Sequence, residues 1–312
     1  MTRLISGLLG LAIGDALGVP VEFQSRKTLE ENPVIDMQEG GSWNQPKGTW
    51  SDDTSMTLAT LESLGKYNWK VTEECLLDIM ENFSEWYLNG KYAVSNNRFD
   101  IGNTCKDAIE NYIKDKQNYL NSLVNSKKND KYGNGALMRI LPCAFIKDVN
   151  SVAMISSLTH NNFVCDTCSL YYVSFLRGLM AGYSKSDVFL NNAICLENEI
   201  KEGTKEEIVR FRRLTDLSFC TLDVNSINST GYVVDTLEAA IWCFMNTDNF
   251  KDCVLKAVNL GGDTDTIGAI AGSIAGVYYG YEAIPKEWLR QIRDIDTLMK
   301  IAKESCESYY NK

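Results

Sequence analysis

The sequence predicts an all-α protein. Apolar residues recur at three- and four-residue spacing over long windows, which is the period of a helix face. Only 5 prolines interrupt 312 residues, so few helix interiors are broken. No strand-rich block appears anywhere in the chain. The hydrophobic fraction of 45% is ample for a sizeable core, and the charged fraction of 23% is ordinary for a soluble globular protein. No linker, low-complexity tract or fixed-period repeat divides the chain, so residues 1–312 read as one compact single-domain helical bundle.

Taken in order, residues 3–18 read as a buried helix with Gly7, Gly10, Gly14 and Gly18 on one face. Glycine in a helix interior costs roughly 1 kcal/mol, so this stripe implies close approach of another backbone. Residues 27–50, rich in Gly, Asn and Pro, read as a loop. Ser51-Asp52-Asp53-Thr54 opens a helix that runs from Met56 to about Tyr67, and helices follow at 73–88 and 104–122. The stretch 125–135 reads as a polar loop carrying Lys127, Lys128, Lys131, Gly133 and Gly135. Helical patterns resume at 137–147, 151–159 and 165–182. The segment 185–218 is more charged; Gly203-Thr204 reads as a stop and an N-cap before an amphipathic helix from Lys205 to Leu217, whose polar side is a solvated face. Residues 220–231 are irregular, and helices follow at 233–246 and 249–259. Residues 261–266, GGDTDT, then open a helix with Gly268, Gly272, Gly276 and Gly280 on one stripe, mirroring the first helix. Residues 286–310 end the chain as one or two amphipathic helices.

The net charge of −10 opposes a broad nucleic-acid surface. Ten cysteines in a chain too long to need stapling suit reduced thiols and a cytoplasmic location. The apolar opening from Leu4 to Leu17 lacks a basic leader and a cleavage site, is interrupted by Asp15, and is too short to span a bilayer, so no membrane partner is expected. Cys165 and Cys168 form a lone CxxC beside His160; with no good fourth ligand for zinc they read as small hydrophobes on a buried helix.

Chemistry concentrates in two short segments, SDDT at 51–54 and DTDT at 263–266. Either is explained alone as a helix cap, because Asp, Ser and Thr accept from the first free N–H groups. A cap needs one side chain, however, and adjacent carboxylates repel unless something positive binds them. Carboxylate and hydroxyl oxygens are hard ligands, which favours Mg²⁺, Mn²⁺ or Ca²⁺ over zinc, and each cluster can supply half of a two-metal cage. Three further segments stand out: Gly14-Asp15-Ala16-Leu17-Gly18 followed by Glu22, residues 99–104 (FDIGNT), and residues 133–139 (GNGALMR). Glycines just before a helix let backbone N–H groups approach an anion, although an ordinary loop is the better explanation of such a pair taken alone.

Together these pieces resemble the ADP-ribosylglycohydrolase family. The matching stretches are GLLGLAIGDALGVPVE, GTWSDDTSM, FDIGNT, GNGALMRILP, the TH at 159–160, TGYVVDTLEAAIW and NLGGDTDTIGAIAG, in the family's order from residue 7 to about 276. The resemblance implies an all-helical fold with a dinuclear Mg²⁺ or Mn²⁺ centre at the base of a cleft. It implies Ser51, Asp52 and Asp53 as one ligand cluster, with serine where the family often has threonine, and Asp263, Asp265 and Thr266 as the other. Asp100 and Glu22 match the acids placed near the scissile bond and the metals, and so are the implied catalytic pair. Gly102, Asn103, the loop Gly133, Asn134, Gly135, Ala136, Leu137 and Met138, together with His160 and Tyr232, match positions lining the ADP-ribose pocket. Without the resemblance, His160 would read as a satisfied polar residue and Tyr232 as a core aromatic.

The implied reaction is metal-dependent hydrolysis at the anomeric carbon of the ribose, through an oxocarbenium-like transition state, with an ADP-ribosylated protein as substrate and ADP-ribose as product. Asp100 is expected at the leaving group and Glu22 at the water. Arginine is the favoured modified side chain; serine-linked ADP-ribose, O-acetyl-ADP-ribose and ADP-ribosylated nucleic acid are alternatives. A non-catalytic ADP-ribose-binding module and a phosphate-ester hydrolase are readings of other classes. A monomer is expected.

Overall fold

The computed structural model describes residues 2–125 and 130–310, so Lys127 and Lys128 of the predicted loop lie outside the described residues. Its α-helices are α1 (Thr2–Gly18), α2 (Arg26–Glu31), α3 (Asp52–Lys66), α4 (Glu73–Asn89), α5 (Asn103–Lys114), α6 (Tyr119–Asn125), α7 (Asn150–Ser157), α8 (Phe163–Met180), α9 (Lys185–Glu199), α10 (Lys205–Arg210), α11 (Val233–Met245), α12 (Phe250–Val258), α13 (Thr264–Tyr279), α14 (Lys286–Gln291) and α15 (Ile295–Tyr310). Short 3₁₀ turns link several of them. No strand occurs among the described residues; pairing is limited to two isolated bridges, Gly40 with Gln45 and Gly133 with Tyr232. The fold is all-α, as the periodicity predicts.

The centre is an antiparallel pair, α1 and α13, and the glycine stripes are the reason. Gly10 lies against the carbonyl of Gly272, Gly14 against that of Gly268, Gly18 against Asp265, and Gly276 against that of Ser6. A Cβ on Gly268 would sit 2.6 Å from the Gly14 carbonyl oxygen, inside any real contact distance. Helix backbones approach this closely only where both carry hydrogens in place of side chains. α11 and α12 flank α13, while α3 packs against α4 and α15. The buried apolar side chains of these elements form one contiguous core.

The apolar stretch at the N-terminus runs from Thr2 to Val21, which is 20 residues and long enough by length and composition to cross a membrane. The Leu4–Leu17 run understated it. In the fold nearly all of it is buried inside the protein, against α13.

Several predicted boundaries move for local reasons. The helix predicted over 104–122 is two helices, because the Asp115 carboxylate accepts from the Asn118 N–H at 3.3 Å and closes a side-chain turn that competes with the helix. Residues 137–147 form two 3₁₀ turns, Leu137–Arg139 and Leu141–Phe145, with Pro142 withholding the N–H an α-helix would need. The helix predicted from Lys205 to Leu217 ends at Arg210. Its predicted start holds: Thr204 and Glu207 form a reciprocal capping box, with 2.8 Å from the Thr204 N–H to Glu207. Beyond Phe211 the chain continues as two 3₁₀ turns, Arg212–Thr215 and Leu217–Thr221, and Asp216 caps the second through the Ser218 N–H at 2.9 Å. The charged stretch before it contains α9, and the predicted 27–50 loop contains α2, capped by Ser25.

Candidate active site

The antiparallel central pair sets the site. It brings the C-terminal end of α1, and Glu22 just beyond, beside the start of α13. The connection is pinned by two backbone hydrogen bonds, Phe23 N–H to the Gly262 carbonyl at 2.7 Å and Gly262 N–H to the Gln24 carbonyl at 2.8 Å. Gly262 has φ of 78°, and a Cβ there would meet the Ser229 carbonyl, so only glycine makes this turn without strain.

α3 arrives from the other side. Buried Asp15, on α1, accepts from the Ser51 N–H at 2.9 Å, the Thr54 N–H at 3.1 Å and the Thr54 hydroxyl at 2.6 Å. One buried carboxylate therefore clamps the first turn of α3, and Ser51 adds a conventional cap on the Asp53 N–H at 3.3 Å. Asp52 and Asp53 are left over, as the surplus argument requires. Asp263 occupies the N-cap position of α13, yet its side chain makes no cap hydrogen bond. Instead it accepts from the Asn134 amide at 2.9 Å, and the Thr266 hydroxyl donates to Asp53 at 3.3 Å. Two clusters separated by some two hundred residues of chain thus touch.

Above them opens a cleft of about 470 Å³ lined by Glu22, Phe23, Asp52, Asp53, Asp100, Ile101, Gly102, Asn103, Thr104, Cys105, Gly133, Asn134, Gly135, Met138, His160, Gly231, Asp263 and Thr266. It carries no lysine or arginine among these residues. Burial pushes the carboxyls of Glu22, Asp52, Asp53 and Asp100 up, and repulsion from neighbouring acids adds to it. Glu22 is raised to about 9 by burial and then by Asp100, against a hydrogen bond from the Trp43 indole. Asp100 is raised to about 6 by burial and by Asp263, and Asp15 to about 7 by burial against its three donors. Asp52, Asp53 and Asp265 are pushed well above the carboxylate range by burial first and neighbouring acids second. Oδ1 of Asp53 and Oδ2 of Asp265 are buried with no hydrogen-bond partner among the described residues. Buried acids without donors are rare in stable proteins unless a cation binds them.

Carboxylate oxygens of Glu22, Asp100 and Asp265 lie within 4.8 Å of one another, close enough to share an ion. This trio cuts across the expected division of labour, since Glu22 and Asp100 were expected as acid and base and Asp265 as a ligand. Asp100 and Phe23 also hold left-handed backbone, with φ of 50° and 67°. Aspartate tolerates this and phenylalanine does not, so local strain is kept at the cleft.

Of the expected pocket residues, Gly102, Asn103, Gly133, Asn134, Gly135, Met138 and His160 line the cleft. Ala136 and Leu137 do not: both are fully buried and turn into the core. Asn134 is committed to protein partners, with its N–H on the Gly231 carbonyl at 3.1 Å and its amide on Asp263 and Thr236, which leaves only the loop's other N–H groups for an anion. Tyr232 stands half-buried beside the lining residue Gly231. His160 is buried and held near 3 by burial and by the Arg139 and Lys131 charges, so it is neutral at physiological pH; its Nδ1 meets the Thr159 hydroxyl at 2.9 Å. Cys165 sits behind the loop, its thiol 3.5 Å from the Gly133 carbonyl.

Sequence reasoning missed Trp43, set in a presumed loop, whose ring lies between Phe23 and Phe99 at 6.3 and 5.7 Å. It noted Asp15 without a role; a lone acid inside an apolar helix was the available signal.

The profile of the ADP-ribosylglycohydrolase family matches residues 1–312. The chain belongs to that family. Among its relatives, the ADP-ribosylarginine hydrolase Tri1 of Serratia proteamaculans is 33% identical over 95% of this chain and 77% of its own. The ADP-ribosyl-[dinitrogen reductase] glycohydrolase of Rhodospirillum rubrum is 30% identical over 96% of each. A solved ADP-ribosylglycohydrolase-related protein complex superposes with a TM-score of 0.79, at 29% identity over 98% of both chains. The acid-lined cleft at the α1–α13 junction is therefore the candidate active site of an ADP-ribosylglycohydrolase.

Proposed function

We propose that this ADP-ribosylglycohydrolase hydrolyses the bond between ADP-ribose and a modified protein side chain, arginine before others, and that it works in the cytoplasm as a monomer holding two Mg²⁺ or Mn²⁺ ions. The observation that carries the metal reading is the pair of orphaned buried oxygens on Asp53 and Asp265, at the point where the two clusters touch. Asp52, Asp53, Asp263, Asp265 and Thr266 would hold the ions, with Ser51 as cap and neighbour. Bound there, divalent cations supply positive charge for the crowded carboxylates and a more acidic water.

The chain's own residues do the rest. Asp100 is the more acidic of the candidate pair and keeps its charge near neutral pH, which suits it to accept from the guanidinium of a modified arginine. Glu22 retains its proton up to about 9 in the cation-free cleft; positive charge beside it would lower that value and free it to take a proton from water. The relatives named for arginine-linked and dinitrogen-reductase-linked ADP-ribose support the substrate class.

The purified protein, given an arginine-ADP-ribosylated protein, should release free ADP-ribose with Mg²⁺ and none with chelator. Equal release in both conditions would remove the metals from the mechanism. Release only from a serine-linked or O-acetyl substrate would move the side-chain assignment and keep the chemistry.

A pH-dependent signature follows from the raised carboxyls. An acid raised in the folded state stabilises fully below its unfolded value of about 4, and that contribution is lost as pH rises through the folded value. For Asp100, Asp15 and Glu22 those folded values are about 6, 7 and 9. The cation-free protein should therefore melt at falling temperature as pH rises across this window. Mg²⁺ should raise the melting temperature more at the alkaline end than at the acid end. A metal effect of the same size at both ends would place the ion away from these carboxylates.

A further inference from the structure

Three aromatic side chains border the acids of the cleft. Phe23 follows Glu22 in the chain, Phe99 precedes Asp100, and the indole of Trp43 donates to the Glu22 carboxylate. The Trp43 ring lies 6.3 Å from that of Phe23 and 5.7 Å from that of Phe99. The segment before Trp43 is stitched to the turn that carries Glu22. The Ser42 hydroxyl donates to the Glu22 carbonyl at 2.6 Å, and a Cβ on Gly41 would lie 1.8 Å from the Pro20 carbonyl oxygen. Phe23 is 68% exposed although it is a large apolar side chain, and its φ of 67° is a conformation that phenylalanine avoids. Core packing therefore does not explain the residue. Strain of this kind persists at sites that hold a ligand.

The rings offer π faces to which the protein brings no cation of its own. No lysine or arginine among the described residues stacks on any of the three. Arg98, beside Phe99, lies over the Tyr87 ring at 4.7 Å, and Arg26 donates to the Leu260 and Ile227 carbonyls at 2.9 and 2.6 Å. The cleft itself is lined by Glu22, Asp52, Asp53, Asp100 and Asp263 and by no lysine or arginine. Negative charge beside aromatic faces favours a planar cation, because a guanidinium stacks on a ring while its N–H groups reach a carboxylate. We propose that Phe23, Trp43 and Phe99 form the surface on which the guanidinium of the modified arginine rests, and that they select an arginine linkage over an O-linked one. The inference rests on the proposed hydrolysis of arginine-linked ADP-ribose and adds the residues that choose the leaving group.

The test compares hydrolysis of an arginine-ADP-ribosylated peptide and a serine-ADP-ribosylated peptide by the full-length protein in Mg²⁺. Calorimetric titration with free ADP-ribose, which has no leaving group, runs beside it. Phe23→Leu keeps bulk and backbone but removes the π face. It should lower kcat/KM for the arginine peptide about tenfold and shift ADP-ribose affinity by less than about twofold. Any activity on the serine peptide should fall by less than about twofold. Phe23→Tyr, which keeps the face, should restore most of the arginine activity. Phe23→Gly takes the left-handed backbone without strain, so it should melt no lower than wild type while losing the same activity. Phe99→Leu should act in the same direction as Phe23→Leu and serves if that variant fails to fold. Unchanged kcat/KM for the arginine peptide in the leucine variants would overturn the proposal and leave the proposed function standing. So would a loss shared equally by ADP-ribose binding or by the serine peptide, or a Phe23→Gly protein that melts well below wild type. A wild-type protein that releases nothing from the arginine peptide would overturn the arginine assignment and this inference with it.

Discussion

Asp265→Asn is expected to lower turnover by a factor on the order of 10³ or more while the cation-free protein becomes more stable. The two effects have one cause. Oδ2 of Asp265 is buried without a donor among the described residues, and burial first, then Glu22, Asp263, Asp53 and Asp100, raise its pKa. In the absence of cations that carboxylate is a burden on the fold, and replacing it with a neutral isostere removes like-charge repulsion worth about 1–3 kcal/mol. With cations present the same change removes a ligand. Melting curves with chelator and with Mg²⁺ separate the cases: the variant should melt higher than wild type in chelator and should lose most of the Mg²⁺-dependent rise. A variant that hydrolyses at the wild-type rate would sink the metal reading. One that melts much lower in chelator would show Asp265 to be a structural partner instead.

Gly14→Val should be the most damaging single substitution in the scaffold. A Cβ there would lie on the Gly268 carbonyl, and the backbone of α13 has no flexible side chain to move aside. α1 and α13 must separate along their length, and overpacking of this kind in a rigid core costs about 4 kcal/mol, or about 6 °C in melting temperature. Activity should fall well below the melting temperature, because the same helix pair sets the distance between Glu22 and Asp265. Gly280→Ala, at the end of the facing α13 stripe, has open space around its Cβ but a φ of 82°, so its effect should be smaller and local. Thermal melts of the two variants check this, and equal losses would show that the stripe as a whole does not pack.

Much of this protein was legible in one dimension. Helix period, cap chemistry and the glycine stripes are local properties, so α1, α3, α4, α8, α11, α12 and α13 could be placed from sequence, and the surplus acids at 51–54 and 263–266 pointed to the candidate cleft. Where the helix predicted over 104–122 failed, a competing local interaction had won, at Asp115. The 137–147 stretch differs because Pro142 cannot serve an α-helix even in a buried run.

Composition, pattern and spacing determined that this chain is helical, that two helices meet backbone to backbone, and that two acidic segments hold more carboxylates than helix capping uses. Only the tertiary structure decided which acids share space. Asp15 became a clamp with its valences filled, Asp263 a partner of Asn134, and Glu22, Asp100 and Asp265 a trio, while Ala136 and Leu137 left the pocket for the core. The physical reason is that a carboxylate's role depends on the donors and charges within a few ångströms of it. Here those neighbours come from chain segments up to 250 residues away, and the antiparallel register of α1 on α13 sets their positions.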